Sequence, residues 1–265
     1  MNDRFFDQTI GNFQKFKEVD AIVLGGSRAS GRFDSASDYD AYVYLNGCLG
    51  VEKRERVLSE TCDYMELNQT NWETEDDCVL KSGVPMEIIY RYTDDTCQNI
   101  SNTLEKHVAA AGYTTCVCYN VFNSIILYDP QHVYKNLAKR FTMPYPEPLR
   151  KNIVSKNRQL LEGIMPSYYN QIEKAIGRGD AVSINHRLTE FIKSYFDILF
   201  ALNRTFHPGE KRLIEFGIAL CEWLPNDFET DMYNLFASNG NDQTLPILRK
   251  MILNLDVLIE NHMEE

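Results

Sequence analysis

No stretch of these 265 residues approaches the roughly 20 consecutive apolar residues that span a bilayer. The first twenty residues mix acids, bases and phenylalanines and lack the apolar block of a secretory signal. The seven cysteines (Cys48, Cys62, Cys78, Cys97, Cys116, Cys118 and Cys221) are odd in number, and no pair has the spacing of a zinc knuckle or a redox dithiol. Cys116 and Cys118, set among Val117 and Tyr119, read as buried packing. Together these absences give a cytoplasmic protein with reduced thiols as the expectation. Basic charge is also scarce. Residues 1–141 carry 14 basic and 21 acidic side chains, and residues 142–265 carry 13 and 17. Neither half offers a surface suited to a phosphate backbone, so no nucleic-acid partner is expected, and a neutral or cationic one is easier to accommodate. There is no repeat and no low-complexity tract.

What is present divides the chain in two. In residues 1–141 helix and strand signals alternate. Phe5, Phe6, Ile10, Phe13 and Phe16 recur at helical spacing over 3–18, and Asp20-Ala21-Ile22-Val23-Leu24 is a short apolar strand ending on Gly25-Gly26. Residues 38–45 read as a strand and 51–66 as a helix. Strands near 77–81 and 84–91 flank the turn pair Ser82-Gly83, a helix follows near 94–110, and residues 125–128 add a last strand. The order predicts an α/β (α+β) domain with a mixed sheet. Pro144, Pro146 and Pro148 mark the change of composition. Residues 142–265 then predict an all-α bundle, with helices near 149–163, 167–177, 180–203, 210–223, 227–237 and 244–262.

The chemistry concentrates in Leu24-Gly25-Gly26-Ser27-Arg28 and in Ser37-Asp38-Tyr39-Asp40. Glycines at a strand end let backbone N–H groups approach phosphate oxygens, Ser27 can add a hydroxyl, and the N-terminus of the short helix that follows favours an anion. Asp38 and Asp40, two apart on a strand, point to one face and offer the hard oxygen ligands that suit Mg²⁺. Glu87 is a lone charge in the apolar strand Pro85-Met86-Glu87-Ile88-Ile89-Tyr90, a costly position unless paired or metal-bound. A third carboxylate there would complete a two-metal site for in-line displacement.

Gly-Gly-Ser, a ten-residue spacer, Asp-x-Asp and a later lone acid on a strand resemble the nucleotidyltransferase superfamily of DNA polymerase β over residues 20–91. With its helical C-terminal half, the chain looks like the bacterial aminoglycoside and lincosamide nucleotidyltransferases. The Gly-Gly-x-Val-Arg-Asp signature of tRNA-nucleotidyl-adding enzymes is absent. The resemblance implies transfer of a nucleoside monophosphate, AMP from ATP, to a hydroxyl of a small molecule such as an aminoglycoside-like antibiotic, with pyrophosphate released. It implies triphosphate contacts from Gly26, Ser27 and Ser37, and two Mg²⁺ held by the catalytic carboxylates Asp38, Asp40 and Glu87. Transfer of AMP to a protein side chain, and a nucleotide-binding sensor or antitoxin-like protein without turnover, are the rival readings.

In the helical half, Pro208-Gly209 breaks one helix and Lys211 opens the next. Relatives use a helical-domain lysine on the β and γ phosphates, and Lys211 takes that role by resemblance, as a long-reaching point charge able to close over a nucleotide. Asn203 and Arg212 are weaker candidates. Glu190 has two readings, a carboxylate facing the acceptor or an i,i+3 partner of Lys193. The run Glu73, Glu75, Asp76, Asp77 reads either as a solvated loop or as a lure for a cationic acceptor.

Overall fold

The computed structural model describes residues 3–31, 34 and 37–263. In chain order the first elements are α1 (Arg4–Phe13), β1 (Val19–Leu24), α2 (Gly26–Ala29), β2 (Tyr39–Leu45), α3 (Val51–Thr61), β3 (Cys62–Gln69), β4 (Thr74–Leu80), β5 (Pro85–Tyr92), α4 (Thr93–Leu104), α5 (Cys116–Asn123), β6 (Ile125–Tyr128) and α6 (Val133–Arg140). Six helices follow: α7 (Glu147–Glu162), α8 (Tyr168–Gly177), α9 (Ala181–Leu202), α10 (Leu213–Leu220), α11 (Phe228–Ser238) and α12 (Thr244–Met263). The expected combination of a mixed sheet with a run of helices is present.

The strands form one sheet in the order β3-β4-β5-β2-β1-β6, in which only the central pair β2 and β5 is parallel. Asp3 caps α1 by accepting from the N–H groups of Phe5 and Phe6, and Phe6, Ile10 and Phe13 recur on the buried side of that helix. With Val57 and Leu58 of α3 they cover one sheet face, packing on Tyr39, Ala41, Val43, Ile88 and Tyr90. Alternation along the strands therefore sends Asp40 and Tyr42 of β2, and Glu87 of β5, to the other face.

Residues 51–66 do not form the continuous helix expected. It stops at Thr61, Cys62 turns extended, and β3 pairs with β4 from Cys62↔Leu80 to Gln69↔Glu75. The acidic run is not a solvated loop either, because Thr74–Leu80 is a strand. Asp76 is fully buried on the covered face, 2.9 Å from the Arg54 guanidinium, and accepts hydrogen bonds from the Tyr90 hydroxyl and the Asn68 N–H at 2.7 Å each. Breaking such a pair strands a buried charge, at a cost of about 3–5 kcal/mol.

The chain divides into two compact units, residues 1–101 with 120–142 and residues 102–119 with 143–265. A single cut near residue 142 therefore misplaces 102–119. That segment belongs with the helices because its backbone bonds to them. Gly112 N–H donates to Asn157 Oδ1 (3.0 Å), Thr114 N–H and Oγ1 donate to the Asp197 carboxylate (3.0 and 2.7 Å), and His207 N–H donates to Thr115 Oγ1 (2.7 Å). The core of this unit is α9, which packs against α7, α8, α10 and α12 through residues such as Phe191, Tyr195, Ile198 and Leu199.

Two buried titrating groups oppose each other here. Burial lowers the His207 pKa to about 3, and burial raises that of Asp197 to about 6 against the hydrogen bonds from Thr114. Neutral His207 is favoured by the fold, so its contribution is complete above pH 6.5 and is lost toward pH 3, about 2 kcal/mol of it by pH 5. Protonated Asp197 is favoured, so its contribution grows as pH falls from 6 toward 3.8, by about 1.4 kcal/mol at pH 5. The two nearly cancel. Wild-type stability from urea unfolding should change by less than about 1 kcal/mol between pH 7 and pH 5 from these groups, whereas Asp197→Asn should lose about 2 kcal/mol. Equal pH slopes in the two proteins would refute the opposition.

Candidate active site

The parallel pairing of β2 with β5 sets Asp40 directly opposite Glu87. Adjacent strands lie about 4.8 Å apart and directly opposed residues share a face, so both carboxylates leave the sheet side by side. Asp38 falls one residue before β2 rather than on it, yet it joins them. Ligand oxygens of Asp38, Asp40 and Glu87 all lie within 4.8 Å of one another, and all three residues are half-buried. Three carboxylates this close repel strongly unless a cation or proton intervenes. The all-oxygen donor set suits Mg²⁺, which takes a few carboxylates and completes its shell with water and phosphate. The residues fit the metal that the motif implies.

The two glycines ahead of them also make room for side chains of β2. Gly26 has φ +62°, and a Cβ there would lie 1.7 Å from Asp40 Oδ2. Gly25 N–H donates to the Asp40 carbonyl at 2.8 Å, and a Cβ on Gly25 would lie 2.6 Å from the Tyr42 ring. Bare backbone at these positions lets β2 carry a carboxylate and an aromatic ring hard against the end of β1. Helix α2 is a single turn of four residues, too short for the helix-end electrostatics invoked from sequence. Ser27 Oγ is enclosed and makes no hydrogen bond among the described residues. An orphaned buried hydroxyl is costly, and a phosphate oxygen is a suitable acceptor for it.

Ser37 is committed locally. Its Oγ accepts from Asp34 N–H (2.9 Å) and lies 3.1 Å from the Asp34 carboxylate. Its carbonyl and that of Asp38 accept from Arg28, Nη2 to Ser37 O at 2.5 Å and Nε to Asp38 O at 2.7 Å. The Arg28 guanidinium also lies 4.0 Å from the centre of the Tyr39 ring. Arg28 thus fixes the backbone that presents Asp38, a positioning role that the sequence analysis missed. The available signal was an arginine inside the turn itself, where a rigid fork can tie two neighbouring carbonyls. Arg91 was missed as well. It binds Glu73 (2.8 Å) and Asn120 Oδ1 (2.7 Å) and covers the Tyr42 ring at 4.4 Å. Burial pushes the Tyr42 hydroxyl up to about 12, partly offset by Arg91.

In the helical unit, Lys211 lies exposed in the loop before α10 rather than opening that helix. Glu190 has Lys193 Nζ at 3.5 Å, as the pairing alternative expected, and Tyr168 Oη also at 3.5 Å. Asn203 bonds the backbone of Leu199 and Trp223, a structural role.

A family profile described as "Domain of unknown function (DUF4037)" matches residues 115–213. No curated protein matches the sequence. Among solved structures the chain is similar to a nucleotidyltransferase-like protein from Exiguobacterium sibiricum, with 9% identity, a TM-score of 0.41, and coverage of 95% of this chain and 72% of that one. It is similar to an aminoglycoside 6-adenyltransferase from Bacillus subtilis, with 9% identity, a TM-score of 0.29 and coverage of 100% and 95%. It is also similar to a Thermotoga maritima CCA-adding enzyme complexed with tRNA, with 10% identity, a TM-score of 0.30 and coverage of 98% and 81%. Function has to be argued from the site itself. No helix among the described residues is long and apolar enough to cross a membrane.

Proposed function

We propose that the chain is a Mg²⁺-dependent nucleotidyltransferase that moves a nucleoside monophosphate, AMP from ATP, to a hydroxyl of a small molecule. The observation that carries this reading is the convergence of Asp38, Asp40 and Glu87 beside the Gly26 turn. In the proposed reaction the acceptor oxygen bonds to the α-phosphorus, the bond from that phosphorus to the bridging oxygen breaks, and pyrophosphate leaves. The acceptor proton passes to Glu87 or Asp40. Bound Mg²⁺ would supply charge neutralisation at the triphosphate and acidify the attacking hydroxyl. Asp38, Asp40 and Glu87 would hold it, while Gly26, Ser27 and Ser37 shape and contact the triphosphate end of the site. Positioning and preorganised charge account for most of the rate in such chemistry.

The acceptor is proposed to be neutral or cationic and not a nucleic acid. Register places Glu66 of β3 and Asp77 of β4 in line with Glu87 and Asp40, so an acidic row crosses four strands on the face opposite α1 and α3. Burial and neighbouring carboxylates raise the pKa values of Glu75 and Asp77, as a negative field does. An anionic polymer would approach against that field, and an amine-bearing compound with it. The test is incubation with ATP labelled at the α-phosphate, Mg²⁺, and a panel of aminoglycosides, lincosamides, metabolites, tRNA and oligonucleotides. The α label should appear on a small hydroxyl compound in step with pyrophosphate. Label on nucleic acid, with every small compound inert, would reject the acceptor assignment.

Lys211 is proposed as the phosphate ligand of the helical unit. A charge-assisted contact is worth about 1.5–3 kcal/mol, so Lys211→Ala should lower kcat/KM for ATP by about 10-fold to 100-fold. An unchanged value would remove Lys211 from the site.

A further inference from the structure

The helical unit contains a cavity of about 630 Å³, of whose lining the proposed chemistry uses only Lys211. Its floor is an apolar stripe on α9, Leu188, Ile192 and Phe196, at the i, i+4, i+8 spacing that shares one helix face. Tyr113 forms one side, and Tyr233 and Phe236 of α11 form another. The last two are 58% and 60% exposed, so the wall presents two large aromatic faces instead of burying them. The volume lies within the range of sites for small ligands, about 300–1,000 Å³, and far above what a few waters need.

The rim carries charge of both signs. Glu210, Lys211, Arg212 and Glu215 all line it. Arg212 has interactions of its own, whereas neither Glu210 nor Glu215 makes an ion pair or hydrogen bond among the described residues. The Tyr113 hydroxyl reports the local field, because its pKa is raised by burial and then by Glu210, Cys116 and Glu190. Two carboxylates lining a cavity with aromatic walls are the elements that recognise an organic cation with an apolar body.

We infer that this cavity is a binding site for a ring-bearing small molecule that carries an amine, with the ring between the α9 stripe and the Tyr233–Phe236 wall and the ammonium at Glu210 and Glu215. Binding here does not depend on nucleotidyl transfer, and it is measured without nucleotide or metal.

The probe is 9-aminoacridine, a planar cation at neutral pH whose fluorescence reports binding. Its counterpart is 8-anilinonaphthalene-1-sulfonate, an aromatic anion of comparable size. Titration of the full chain should show saturable one-to-one binding of the cation, at least about 10-fold tighter than the anion. The double variant Tyr233→Ala/Phe236→Ala should weaken the cation about 10-fold, and Glu210→Gln several-fold. These side chains are exposed, so thermal melting of each variant should overlay the wild type. Equal or tighter binding of the anion would overturn the inference. Cation affinity within two-fold of wild type in both variants would overturn it too, because the probe would then be sitting on the acidic sheet face.

Discussion

Asp40→Asn should abolish the proposed nucleotidyl transfer, lowering kcat/KM by more than about 1,000-fold, because one ligand charge is removed from the proposed metal centre, worth several kcal/mol to the transition state. The substitution is isosteric and relieves repulsion between carboxylates that converge within 4.8 Å. The melting temperature without metal should therefore stay at or above that of the wild type. A second readout separates metal binding from chemistry. Mn²⁺ at millimolar concentration should raise the melting temperature of the wild type through ligand linkage and should raise that of the variant much less. Activity within 10-fold of wild type in purified Asp40→Asn would remove the carboxylate cluster from the mechanism.

Gly26→Ala should also lower activity strongly, although it alters no functional group. The new methyl would overlap Asp40 Oδ2, which lies 1.7 Å from the ideal Cβ position, and the residue would be held at φ +62°. Left-handed backbone costs an alanine about 1–2 kcal/mol, so the fold should survive. The carboxylate cannot stay where it is, and displacing a reacting group by about 1 Å costs on the order of 100-fold in rate. Gly31→Ala is the matched control. Gly31 has φ +71° with nothing within 4 Å of its ideal Cβ among the described residues. It should show the stability cost alone. Equal activity in the two variants would mean that backbone strain, not collision with Asp40, governs the effect.

The features legible in the sequence were those carried by short-range pattern. The Gly-Gly-Ser turn, the Asp-x-Asp spacing and a lone Glu87 in an apolar strand can each be read within a few residues, and the fold brings their carboxylates together. Features that depend on a distant partner were misread. Cys62-Asp63-Tyr64-Met65-Glu66-Leu67 fits a helix end or a strand by local propensity, and only pairing with β4 decides for the strand. Asp76 looked like one of four solvated acids because its partner Arg54 lies on another element. Residues 102–119 show no clear helical or strand period, so nothing local announces that Asn157 and Asp197 will hold their backbone. The purpose of Gly26 was half visible. Its need to be glycine was clear, but the side chain it makes room for was not.

Asp76 and Asp77 are adjacent in the chain, but the pleat of β4 sends them to opposite sides of the sheet. On one side Asp76 has its own counter-ion in Arg54, together with Tyr90 and Asn68. On the other, Asp77 stands in line with Glu87 and Asp40. The acid that holds the architecture and the acids proposed for chemistry thus stand on opposite faces of one sheet. In evolutionary terms the two sets can drift independently. A descendant that lost Asp38, Asp40 and Glu87 would keep the Arg54–Asp76 anchor and hence its shape, free to survive as a silent binder. One that lost Asp76 would give up about 3–5 kcal/mol of stability whatever became of its catalytic carboxylates.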